Sequence, residues 1–158
     1  MVREATAGDI EAMVELAARR RAAYAASQPV FWREARGART AQAIHFRALL
    51  EGGEARAFVW SDGEGRVRGF AVAEIRQAPP VYDPGGATCL VDDLCVADDT
   101  LWDTVGRDLI QAATAWAGRA GGTVQAVVAC GAHDRAKDRL LGSLGYAVAT
   151  EWYVRSLT

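Results

Sequence analysis

The sequence predicts a mixed α/β (α+β) domain: a mostly antiparallel sheet with one central parallel pair of strands that splay apart, and helices on both faces. Three observations predict it. Apolar residues switch between helical spacing and short strand-like runs in the order β-α-α-β-β-β-α-β-α-β. The run Thr88–Val96 reaches the run Val124–Cys130 only through a full helix, so those two strands must be parallel. The runs Ala57–Trp60 and Arg66–Ile75 are joined by Asp62-Gly63-Glu64-Gly65, a hairpin turn that makes that pair antiparallel.

Each element has its own local reason. Val2–Ala5 is short and alternating, and Thr6-x-x-Asp9 reads as a capping box ahead of a helix. Ile10, Met13, Val14 and Ala17 then recur at helical spacing, and the helix runs toward Tyr24 and stops before Pro29. A second helix covers Ala41–Leu50 and ends at Gly52-Gly53. Gln77–Gly86 holds three of the four prolines and a Gly-Gly pair, which makes it a loop. Thr88–Val96 is apolar enough for a central strand. Asp103 is expected to cap a helix reaching Ala120, with Val105, Leu109, Ala113 and Trp116 on one face and Gly121-Gly122 at its end. Val124–Cys130 is a buried strand, Arg135–Ser143 a short helix, and Ala147–Val154 the last strand. A binding site is expected where the parallel pair splays at its C-terminal ends.

Composition narrows the function classes. The 158 residues suit one domain, since two cores of half that size would be marginal. With 51% hydrophobic residues there is ample material for a core, and 24% charged residues is ordinary for a globular chain. A net charge of −2 without a basic run gives no footprint for nucleic acid. No stretch approaches the roughly 18 apolar residues that cross a bilayer. Met1-Val2-Arg3-Glu4 leads straight into polar sequence, so a cytoplasmic location is expected. The three cysteines, Cys89, Cys95 and Cys130, sit in apolar surroundings with no Cys-x-x-Cys spacing, as buried free thiols would. Two histidines cannot build a multi-histidine centre, and no metal site is expected.

The order of elements resembles the GNAT acetyltransferase superfamily, and several local sequences agree. Val2-Arg3-Glu4-Ala5-Thr6 with Asp9-Ile10 looks like that family's first strand and capped helix. Val91-Asp92-Asp93-Leu94-Cys95-Val96 resembles its fourth strand, and Leu144-Gly145-Tyr146 the Leu-Gly-Phe after its last helix. The resemblance spans essentially the whole chain and implies acetyl-CoA as cosubstrate, with a small-molecule or protein amine as acceptor. Two departures accompany it. The family's Arg/Gln-x-x-Gly-x-Gly/Ala signature falls on Leu101, Trp102, Asp103, Thr104, Val105 and Gly106, where only the last glycine survives. The tyrosine that protonates the leaving thiolate in the family falls on Leu141, and the asparagine on Asp134.

The resemblance and the residues together give the expected site. The pantetheine would lie along Leu94, Cys95 and Val96, and the pyrophosphate on the amides of Thr104, Val105, Gly106 and Arg107, at the start of a helix. Asp134 would stand near the cofactor. A threonine still offers its N–H where glycine is lost, and Arg107 adds charge, whereas Asp103 and Asp108 would repel phosphates unless turned away. Trp102 packs under this loop or stacks on a ligand. Asp92 and Asp93 are adjacent in a strand and point to opposite faces. One must face core or cleft, as a general base, with Asp93 favoured, unless the carboxylate is bonded to backbone at a bulge or is an exposed strand-end charge. Tyr153 or Tyr146 could replace the missing acid. Phe31, Trp32 and Tyr82 lie in loop-rich segments that would cover the acceptor side or form small satellite cores. Cys130-Gly131-Ala132-His133-Asp134 places thiol, imidazole and carboxylate together, though a strand-end cysteine beside a surface histidine explains it as well.

The expected function is acetyl transfer from acetyl-CoA to a primary amine by direct attack. The alternative is a catalytically inactive GNAT-fold module that binds a ligand or partner. An edge strand near the C-terminus could pair two copies into a homodimer.

Overall fold

The structure, a computed structural model, describes residues 1–53 and 55–157. Five strands form one sheet in the order β1-β2-β3-β4-β5. They are β1 (Val2–Glu4), β2 (Ala55–Ser61), β3 (Val67–Arg76), β4 (Ala87–Val96) and β5 (Thr123–Val128). The first three junctions are antiparallel and β4–β5 is parallel. Helices α1 (Ile10–Ser27) and α2 (Ala38–Gly52) cover one face, and α3 (Arg107–Ala120) and α4 (Arg135–Ser143) the other.

The two-residue period of β3 divides the core between these layers. Phe70 and Val72 join Met13, Leu16, Ala17, Phe46 and Val59 beneath α1 and α2. Ala71 and Ala73 face the other way and join Leu94, Val105, Leu109, Ile110 and Leu140 beneath α3 and α4. Phe46 meets Phe70 edge-on, ring centroids 5.5 Å apart, and both are fully buried. The alanines are what let α3 lie close to the sheet.

The start of α1 is fixed as the capping box predicts. The Thr6 backbone N–H and hydroxyl donate to Asp9 Oδ2 at 2.8 and 2.9 Å. The Arg3 guanidinium donates to both oxygens of that carboxylate at 2.8 Å. Arg3 above all holds the Asp9 carboxyl down to about 2. Its folded value lies below the unfolded one, so its stabilisation is present above the ordinary carboxylate range and fades as pH falls toward 2. Asp9→Asn is expected to cost about 2 kcal/mol at pH 7 and only a small fraction of that near pH 2. Denaturant titrations at the two pH values check this, and an equal loss at both would contradict it.

Five expectations need correction. Ala147–Val154 forms no strand: residues 146–157 make no ladder, and Val148, Trp152 and Tyr153 are largely exposed. Strand propensity is realised only against a partner, and Trp152 instead meets Phe31, with ring centroids 6.0 Å apart. The parallel pair therefore stands at the edge of the sheet rather than at its centre. β5 ends at Val128, which leaves Cys130 beyond the strand and exposed, while Cys89 and Cys95 are buried. Finally, Asp103 caps nothing: helical backbone already begins at Asp99, with Asp98 accepting the Thr100 N–H at 2.9 Å. α2 also starts earlier than expected, at Ala38, behind a left-handed Gly37. Among the described residues no helix is long and apolar enough to cross a membrane, and no cluster of three or more metal-ligating side chains occurs.

Candidate active site

The site begins with a bulge in β4. Ala71 pairs with Leu94 and Ala73 with Val91, so Asp92 and Asp93 together oppose the single residue Val72. The extra residue resets the alternation of the strand. Without it, Val91 and Leu94 would present their backbone groups to opposite sides. With it, both present them to the β5 side. Val91 O there accepts the Ala129 N–H at 3.0 Å, the last bond holding the two parallel strands together. Beyond it β4 and β5 diverge. The Ala97 N–H donates to Arg68 O on the β3 side, so by alternation Leu94 and Val96 turn their N–H and C=O groups into the splay.

Asp93 stands at the mouth of this splay, about one-fifth exposed, while Asp92 is exposed to solvent. The Arg20 guanidinium, from α1, donates to Asp93 Oδ1 at 2.6 Å and to Leu94 O at 3.1 Å. One turn later on α1, the Tyr24 hydroxyl donates to Asp134 Oδ2 at 3.0 Å and accepts the Gly131 N–H at 3.2 Å. Burial raises the Tyr24 hydroxyl above its usual value and pushes the Cys95 thiol up to about 11.

Asp134 is the N-cap of α4 and accepts the Lys137 N–H at 3.3 Å. Lys137 itself is fully buried. Its Nζ donates to Ala129 O at 3.3 Å, lies 3.5 Å from Asp134 Oδ2, and sits 5.1 Å from the centre of the Trp102 ring. Burial, followed by the charge of Arg20, holds its ammonium below the usual lysine range.

The expected phosphate loop is helical. A short 3-10 turn at Asp99–Leu101 passes into a π turn at Trp102–Gly106 and then into α3. The Arg107 N–H bonds back to Trp102 O and Thr104 O, inside that turn. Trp102 and Val105 are buried, and a Cβ on Gly106 would come within 2.4 Å of the indole, so Gly106 is needed for packing. The indole Nε1 is buried without a partner. Arg107 donates to Ser143 Oγ at 3.2 Å and to Asp103 O. Beside this run, a hollow of about 350 Å³ lies against the first turns of α4, lined by His133, Arg135 and Arg139 and opposed by Asp99 and Asp103.

The structure thus gathers Asp93, Leu94, Cys95, Val96, Trp102 and Asp134 around the splay. Thr104 and Arg107 lie on the outer side of the helical run. Phe31 and Trp32 stand together, centroids 4.7 Å apart, and Trp32 is 5.1 Å from Tyr24. Tyr82 is on the separate loop between β3 and β4, largely exposed. Tyr153 is 90% exposed and donates to Glu151. The sequence reading missed Arg20, Tyr24 and Lys137. A signal was there: Arg20 and Tyr24 continue the stripe of Met13 and Ala17, and Lys137 shares the inward face of α4 with Leu140 and Leu141. Polar groups on an apolar stripe mark a polar core.

A mixed sheet with a bulged fourth strand, a splayed parallel fifth strand and paired helices on each face is the GNAT fold. Solved structures bear this out. The BH1408 protein of Bacillus halodurans, solved as a single-residue mutant, matches over 100% of this chain and 99% of its own, with TM-score 0.85 and 22% identity. A predicted acetyltransferase from Clostridium acetobutylicum, solved with acetyl-CoA, matches over 99% and 96%, with TM-score 0.74 and 12% identity. The aminoglycoside N-acetyltransferase AAC(6')-Iy in complex with CoA matches over 100% and 99%, with TM-score 0.69 and 14% identity. No protein-family model and no curated protein matches the chain.

Proposed function

We propose that this protein transfers an acetyl group from acetyl-CoA to a primary amine by direct attack. The observation that carries the reading is the β4 bulge, which turns Leu94 and Val96 toward the open side of the splay and sets Asp93 at its mouth. A pantetheine is a chain of amides, and the exposed edge of β4 supplies the partners that β5 has ceased to offer. The thioester carbonyl would accept from the Val96 N–H, which polarises it and stabilises the oxyanion as the amine adds. Asp93 would take a proton from the incoming ammonium. For that, the Arg20 guanidinium must share the carboxylate with the substrate, and it can hold Asp93 in place while doing so.

Of the amides of Thr104–Arg107, that of Arg107 is already used within the π turn, so the phosphates would rest on those of Thr104, Val105 and Gly106 at the start of the helical run. Positive charge is supplied by Arg107 and, at the hollow, by Arg135 and Arg139. Phe31 and Trp32, with Trp152 beside them, form an aromatic surface next to Tyr24 that suits the apolar part of an amine acceptor. The inactive-module reading is supported by the same π turn, with the Trp102 indole packed where a loop would have to open.

The test is thiol release from acetyl-CoA across a panel of primary amines, from polyamines to amino acids and peptides. The expected result is release that depends on the amine. Release no faster than without amine, across the panel, would contradict the proposal.

A further inference from the structure

The chain carries one lysine among 18 cationic residues, and it is the one cationic side chain among the described residues that is completely buried. Everywhere else the sequence uses arginine. An arginine cannot give up its proton at any working pH, whereas a desolvated lysine can. Burying such a group is costly, and here it is held by a carboxylate, a carbonyl and an indole face.

Its position is specific. Ala129, whose carbonyl accepts from Nζ, follows β5 directly and makes the last bond to β4 before the two strands part. Arg20 from α1, Cys95 from β4, Cys130 from the segment after β5 and Asp134 at the N-cap of α4 are the charged or titratable groups that act on Nζ, and Trp102 from the π turn lies under it. The ammonium therefore sits buried beneath the point where β4 and β5 part, on the carbonyl of the last residue that bonds the two. Of the proton carriers gathered there, Arg20 cannot release its proton, and burial makes the Tyr24 hydroxyl and the Cys95 thiol hold theirs more tightly.

We propose that Lys137 is the proton donor to the departing CoA thiolate, a role that rests on the acetyl-transfer reading above. As the amine nitrogen bonds to the thioester carbon and the C–S bond breaks, Nζ gives one proton to the sulfur. The nitrogen loses two protons in becoming an amide. One passes through Asp93 to solvent, and the other restores the Lys137 ammonium. Asp134, bonded to the Tyr24 hydroxyl and close to Nζ, keeps the ammonium aimed and is a positioning residue.

Lys137→Met and Lys137→Arg test this together. Loss of the donor should lower kcat by about 10²–10⁴-fold, with the acetyl-CoA dissociation constant unchanged. Arginine restores the buried charge but not a transferable proton, so a donor role predicts that it fails to restore turnover, whereas a merely structural role predicts recovery. The parent kcat should also fall at alkaline pH, and that limb should vanish in whatever turnover the variants retain. Parent-like kcat in either variant overturns the proposal alone. Absence of amine-dependent turnover in the parent overturns the acetyl-transfer reading and this role with it.

Discussion

Asp134→Ala is expected to lower the unfolding free energy by about 3–5 kcal/mol, because it leaves the Lys137 ammonium buried without its carboxylate. The same change strips the Tyr24 hydroxyl of its acceptor and removes the N-cap of α4. Asp134→Asn should cost less, since the amide oxygen at the Oδ1 position still caps the helix, although the NH2 group then replaces the oxygen that accepts from Tyr24. The loss has a pH signature. The folded-state pKa of Lys137 lies below its unfolded value, so the unfolded chain binds the proton more readily. Stability from this group is therefore complete above the ordinary lysine range, near ~10.4, and is lost as pH falls through the lowered value. Removing Asp134 lowers that value further and widens the window. Urea titrations of parent and variant from neutral to alkaline pH measure it. A variant within 1 kcal/mol of the parent at about neutral pH would show that the Lys137–Asp134 contact does not hold the ammonium.

Asp93→Asn is expected to reduce amine-dependent turnover by about 10²–10⁴-fold while leaving acetyl-CoA binding intact. The amide keeps an oxygen for Arg20, so the guanidinium remains anchored to Leu94 O and the splay keeps its shape. It cannot accept the ammonium proton. Raising pH should recover part of the loss, since the acceptor amine then arrives already deprotonated and the base is no longer needed. Steady-state kinetics over a pH series, with calorimetry on the same variant, separates the two effects. Undiminished kcat would remove Asp93 from the chemistry and leave it as the partner of Arg20.

What the sequence revealed and what it hid have physical causes. The Thr6–Asp9 box, the Asp62–Gly65 turn and the apolar stripe of α3 are local patterns, legible because each is decided within a few residues. The turn closes with the Gly65 N–H on Asp62 O and Gly65 at φ 79°. The bulge is a property of pairing rather than of β4 alone, so nothing in Asp92-Asp93 itself announces that Asp93 stands at a bulge and bonds the Arg20 guanidinium rather than backbone. The π turn at Trp102–Gly106 shifts one hydrogen-bond register inside a helix, which no residue pattern announces. Arg20, Tyr24, Lys137 and Asp93 come from three different elements, and periodicity within an element says nothing of what meets across them. Residues 147–157 carry strand-forming side chains, yet strand formation needs a partner edge, and that is not written in the segment.

The most direct test of the account is calorimetric titration of the protein with acetyl-CoA at low and at moderate salt. The splay and the arginines beside the π turn predict micromolar binding that weakens as salt screens the phosphates. No heat of binding at millimolar acetyl-CoA would contradict it, and would leave the GNAT fold here without its cosubstrate.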